Sequence, residues 1–148
     1  MAEILAADDS SVLRMFMSAV LGGGGYRVRV AEDGLEVLTA LGETAPDVLI
    51  LDVEMPHLDG FAVLKQMRKS HLGRSTRVIM LTGKNRDADW LKAYRLGAHY
   101  YLPKPFEPAD LLVAIQELLD MTLDEAEERR QTELDRAELL ARLESAFI

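Results

Sequence analysis

Five short apolar runs alternate with longer segments of helical periodicity, and no other property of the chain constrains its fold as much. The runs are Ile4–Ala7, Arg27–Ala31, Val48–Leu51, Val78–Leu81 and Tyr100–Leu102. The second alternates, with Val28 and Val30 on one side. The others are unbroken by polar residues, as in strands buried on both faces. Between them lie segments that read as helices: Ser11–Leu21, Leu35–Leu41, Phe61–Lys69, Arg86–Leu96 and Ala109–Met121. In the first of these, Val12, Met15, Phe16, Ala19 and Val20 recur at helical spacing.

Punctuation residues support this reading. Gly22–Gly25 ends the first helix, Asp33–Gly34 is a turn, and Gly42 is expected to stop the second helix. Pro46–Asp47 introduces the third run, and Pro56 and Gly60 bracket a loop. Asn85 is placed to cap the fourth helix, Gly97 to end it, and Pro108 to open the fifth as an N1 proline does. Five βα units with right-handed crossovers give an α/β fold. The expected architecture is a doubly wound, five-stranded parallel sheet of flavodoxin-like order 2-1-3-4-5 with a C-terminal helical extension. Its switch point falls between the first and third strands.

The length of 148 residues fits one domain with an appendage. Residues 1–121 hold the five units, and residues 122–148 read as a helical extension or linker to an output domain or dimer partner. This tail carries eight acids and four arginines and no glycine or proline. Thr122-x-x-Glu125 is either a capping box that starts a new helix or a chance match inside a continuous one. Leu123, Ala126, Leu134, Ala137, Leu140 or Ala141, and Phe147 make only a thin apolar stripe. Such a helix is expected to anchor poorly to the domain and to pair with a second copy or lead elsewhere.

The net charge of −8 argues against direct nucleic-acid binding, which needs a basic face. No apolar run approaches the roughly 18–20 residues of a membrane span. The N-terminus does not read as a signal peptide, and the absence of cysteine fits a cytoplasmic setting.

If the runs are parallel strands, Asp8, Asp9, Asp52 and Lys104 gather at the C-terminal edge of the sheet, where such folds bind ligands. Alone, Asp8 and Asp9 read as well as acids of a helix start. Beside Asp52 and Lys104 they read as a carboxylate cluster suited to Mg²⁺, which relieves their repulsion. Aspartate accepts phosphoryl groups covalently. Lys104 then supplies a positive charge to the phosphoryl oxygens, Thr82 a hydroxyl, and Gly83 room and a backbone N–H. A cis Lys104–Pro105 bond would aim the lysine.

Asp8-Asp9, Leu51-Asp52-Val53-Glu54-Met55-Pro56, Asp59-Gly60, Leu81-Thr82-Gly83, Gly97-Ala98 and Lys104-Pro105-Phe106 together resemble the receiver domain of two-component response regulators. The resemblance covers about residues 3–121. It implies Asp52 as phosphoacceptor, and Mg²⁺ bound by Asp9 directly, by Asp8 often through water, by Asp52 and by the Glu54 carbonyl. It also implies Thr82 as the switch hydroxyl, Lys104 as the phosphate contact, Tyr101 as the aromatic switch, and a histidine kinase or phosphotransfer protein as partner.

Glu54 and Lys84 depart from the commonest choices at their positions. They are expected to form an exposed ion pair across the phosphoryl entrance and to modulate water access, with Gly83 beside them. His57, His71 and His99 read as loop or surface residues, and Trp90 and the methionines as packing. Two rival readings are a phosphohydrolase, which lacks a substrate-holding cap domain here, and a phosphorylation-independent pseudo-receiver scaffold.

Overall fold

A computed structural model describes residues 1–83 and 87–147, with the backbone alone at Asp87. The expected Asn85 cap and the Lys84 side chain lie outside the described residues. The chain forms β1 (Glu3–Ala7), α1 (Ser11–Gly23), β2 (Arg27–Ala31), α2 (Gly34–Glu43), β3 (Val48–Asp52) and α3 (Gly60–Ser70). It continues as β4 (Arg77–Thr82), α4 (Asp87–Arg95), β5 (Tyr100–Pro103), α5 (Pro108–Leu119) and α6 (Leu123–Ala146).

The strands pair in parallel in the order β2-β1-β3-β4-β5. Successive strand residues point to opposite faces. Leu49 and Leu51 of the central β3 therefore join one core with Val37 and Leu41 of α2, Val63 and Leu64 of α3, and Ala93 of α4. Val48 and Ile50 join a second core with Met17 and Leu21 of α1 and Leu111 and Ile115 of α5. Two covered faces explain why β1, β3 and β4 read as unbroken apolar runs, whereas the edge strand β2 alternates.

Side chains start the helices. Ser10 Oγ accepts from Leu13 N at 3.2 Å, Asp33 from Glu36 N at 2.9 Å, and Asp59 from Ala62 N at 2.8 Å. Pro108 opens α5, where the Asp110 carboxylate accepts from Glu107 N at 3.0 Å. One expected stop differs. Gly42 lies inside α2, which runs on to a C-cap at Thr44 just ahead of Pro46. A glycine costs a helix only about 1 kcal/mol, whereas the proline forces extended backbone before it. α1 ends within the expected Gly22–Gly25 run, at a Gly24 cap.

The capping box at Thr122 is real. Glu125 N donates to Thr122 Oγ1 at 3.1 Å, and Thr122 N donates to the Glu125 carboxylate at 3.0 Å. A new helix therefore starts there, separated from α5 by a turn. Contrary to expectation, α6 is anchored to the domain: it packs along α4 and the start of β5, with Ala126 and Ala137 at 0% and 2% exposure. Its inner face carries Ala126, Leu134, Ala137 and Ala141 of the expected stripe, with Arg129, Arg130 and Glu133 half-buried beside them. Leu123, Leu140 and Phe147, counted in the expected stripe, point outward with Leu139 and Leu143. Apolar patterning found part of this face but not how firmly it docks, because arginines add polar contacts to it.

Candidate functional site

β1 and β3 are neighbours, so their C-terminal ends bring Asp8 and Asp52 together. Both are buried, at 0% and 1% exposure. Asp8 is fixed from both sides: its Oδ1 accepts from Ser10 N at 2.9 Å, and its carbonyl accepts from Arg14 Nη1 at 2.8 Å. Asp52 Oδ1 accepts from Glu54 N at 3.2 Å, which holds the loop after β3 over the site. Gly60 makes that loop possible, because a Cβ there would collide with the Asp52 carbonyl. Gly34 has a similar role, since a Cβ there would run into the Leu58 carbonyl.

Lys104 follows β5, and its N–H donates to the Thr82 carbonyl at 2.7 Å. Its Nζ lies 2.7 Å from Asp8 Oδ2 and 3.2 Å from Asp52 Oδ2. The Lys104–Pro105 bond is cis. Burial opposes the ammonium, but the hydrogen bond to Asp8 and the charges of Asp52 and Asp8 outweigh it and raise the Lys104 pKa. Burial and, after it, the charge of Asp8 push the Asp52 carboxyl up, against Lys104 and the Glu54 N–H. Asp9 is exposed at the mouth. One carboxylate oxygen from each of Asp8, Asp9 and Asp52 lies within 4.8 Å of the others, a donor set that fits a hard divalent cation.

Thr82 is fully buried at the end of β4, and exposed Gly83 follows it. A Cβ at Gly83 would meet nothing within 4 Å, so packing does not require the glycine. Tyr101 packs against the α2–α3–α4 core, and Tyr100 takes the opposite face. The expected Glu54–Lys84 pair lies outside the described residues at its Lys84 end. A groove of about 520 Å³ opens beside Lys104 and Gly83, walled by Val12, Leu13, Phe16 and Phe106. Phe16 and Phe106 face each other at 6.3 Å between ring centroids.

Two histidines have partners that the sequence did not reveal. His57, at φ 68°, meets the Asp33 carboxylate at 3.0 Å. The Glu36 N–H first, and His57 next, hold the Asp33 carboxyl below its ordinary value. His99 lies in the loop before β5, as expected, but is not exposed. Its ring is half-buried, Nδ1 accepts from Val78 N at 3.0 Å, and Nε2 faces Glu127 of α6 at 4.0 Å. No spacing pattern signals a ring nitrogen that accepts from a backbone N–H.

Residues 4–116 match the family model of the response regulator receiver domain. The chain belongs to that family. The cluster of Asp8, Asp9 and Asp52 is the acidic pocket typical of its phosphoacceptor site. The response regulator MprA of Mycobacterium leprae is 39% identical over 119 residues, which are 80% of this chain and 51% of that protein. The chain therefore spans about half the length of such curated relatives. The chemotaxis response regulator CheY4 of Vibrio cholerae superposes with a TM-score of 0.75 at 36% identity, covering 80% of this chain and 98% of that one. A BeF3-activated DrrB receiver domain superposes with a TM-score of 0.73 at 30% identity, covering 82% and 99%. These receivers share the 2-1-3-4-5 sheet, and α6 is additional to it.

Proposed function

We propose that this receiver takes a phosphoryl group on Asp52 from a histidine kinase or a phosphotransfer protein. The observation that carries the reading is the shared ammonium: Lys104 Nζ contacts both Asp8 and Asp52, so the acceptor carboxylate is buried, oriented and paired with a mobile cation. In the transfer, an Asp52 carboxylate oxygen bonds to phosphorus. The P–N bond of the phosphohistidine breaks, and its electron pair stays on the imidazole nitrogen, which takes a proton from solvent. Lys104 swings from the carboxylates to a phosphoryl oxygen, and the Thr82 hydroxyl donates to another.

Asp8, Asp9, Asp52 and the Glu54 carbonyl would hold Mg²⁺. Bound there, the cation would offset the charge of an incoming phosphoryl group. The apolar groove beside Lys104 suits a helical donor that lays a hydrophobic face on Val12, Phe16 and Phe106 and presents its histidine at the mouth.

Thr82 and Tyr101 act as the switch and alter the surface of α4, β5 and α5. Glu54 and Lys84 regulate water entry beside Gly83. The signal then passes through the extension at 122–148, whose outward Leu139, Leu140, Leu143 and Phe147 supply an apolar strip for a second copy. The chain is a signalling module acting in the cytoplasm.

Incubation with acetyl phosphate and Mg²⁺ tests the reading. Wild type gains one phosphoryl group by mass, and Asp52→Asn gains none. Labelling that survives Asp52→Asn removes Asp52 as the acceptor, and no labelling of either protein favours the scaffold reading.

A further inference from the structure

α6 holds the domain mainly through two consecutive arginines that reach different elements. Arg130 Nη1 donates to the Tyr94 carbonyl, in the last turn of α4, at 2.7 Å. The Arg129 guanidinium lies over the Tyr100 ring at the start of β5, 4.3 Å from its centroid. At the end of α4 the Arg130 cation adds a second hydrogen bond to a carbonyl that also accepts from Gly97 N, and complements the helix dipole. A guanidinium over a phenol ring adds a cation–π contact. Glu138 meets Arg95 Nε at 3.5 Å. Ala126 and Ala137, about three turns apart, let the backbone approach closely. The side chains at 129 and 130 start from adjacent residues of a rigid helix, so both contacts form together only at one spacing of α4 from β5.

The gripped elements lead into the site at their other ends. β5 starts under Arg129 and ends beside Lys104. β4 starts at Arg77, whose Nη2 donates to the Met121 carbonyl in the turn before α6 at 2.6 Å, and ends at Thr82. We propose that the α4–β5 surface is a docking site for an arginine-bearing helix, that α6 is its resident occupant, and that charging Asp52 releases it. This rests on the phosphoacceptor reading. A phosphoryl group that recruits Thr82 and Lys104 pulls on β4 and β5 together, and a changed α4–β5 spacing breaks the two-point grip. A partner of that surface then competes with α6 for it.

Hydrogen exchange of the full chain, with and without beryllofluoride and Mg²⁺, tests this, and ¹⁹F NMR reports beryllofluoride binding separately. The α6 amides are expected to exchange roughly tenfold faster once beryllofluoride is bound, while β3 amides stay protected. By reciprocity, Arg130→Ala is expected to expose α6 without beryllofluoride and to tighten beryllofluoride binding by a similar factor. Thr132→Ala, at an exposed position of α6, changes neither. Bound beryllofluoride with unchanged α6 exchange would overturn the coupling and leave the phosphoacceptor reading intact. Absent beryllofluoride binding would remove both.

Discussion

Asp8 follows β1 and Asp52 ends the neighbouring β3, and their Oδ2 atoms share one ammonium, that of Lys104, at 2.7 and 3.2 Å. One cation between two buried carboxylates leaves negative charge uncompensated, and a divalent cation or its absence decides how much that matters.

Asp52→Asn is expected to stabilise the metal-free protein. The substitution keeps the Lys104–Asp8 bond and removes the repulsion and desolvation that push Asp52 up. A gain of about 1–2 kcal/mol is expected in urea unfolding with EDTA. Unchanged or lower stability would mean that Lys104 already compensates both carboxylates.

Two glycines are expected to behave oppositely. Gly42 lies inside α2, and a Cβ added there would meet nothing within 4 Å, so Gly42→Ala gains roughly 0.5–1 kcal/mol. Gly60→Ala drives a methyl into the Asp52 carbonyl and costs about 1–3 kcal/mol. Thermal melts of the two variants should move in opposite directions, and a common direction would contradict the packing described at Gly60.

Acid is expected to weaken the fold through His99. Burial holds its imidazole below the ordinary value against Glu127, with Arg130 and Arg77 acting in the same sense as burial. The unfolded chain takes up the proton first, so this stability is present above the ordinary pKa of about 6.5 and is lost as pH falls through it. His99→Gln, which keeps an acceptor for Val78 N, should flatten the slope of unfolding free energy between about pH 7.5 and 5.5. Equal slopes in the two proteins would rule out His99 as the source.

Enlarging the small residues under α6 should loosen that helix alone. Ala137 is 2% exposed against the domain, and Ala137→Leu overpacks the contact by about 1–3 kcal/mol. Exchange should quicken across residues 123–146 and stay slow in β1 and β3. Uniform quickening would show that α6 is part of the global folding unit.

The sheet was legible because β1, β3 and β4 are buried on both faces, which leaves a plain apolar run such as Val48–Leu51. The acidic pocket was legible because Asp8, Asp52 and Lys104 directly follow or end such runs, so topology alone brings them together. The docking of α6 was not, because hydrophobic periodicity carries no record of Arg130 meeting a backbone carbonyl. His99 escaped for the same reason: its acceptor role is directed at Val78 N. Gly42 misled because its effect on α2 is weaker than that of Pro46.

Arg68, Arg77 and Arg130 each end on a main-chain oxygen, those of Arg95, Met121 and Tyr94 respectively. Every residue type carries that oxygen. Positions 94, 95 and 121 can therefore drift without losing these bonds, and the arginines need no covarying partner. Those bonds are inherited through backbone shape, so paired substitutions across relatives would report only the side-chain contacts of the joint, Arg129–Tyr100 and Glu138–Arg95.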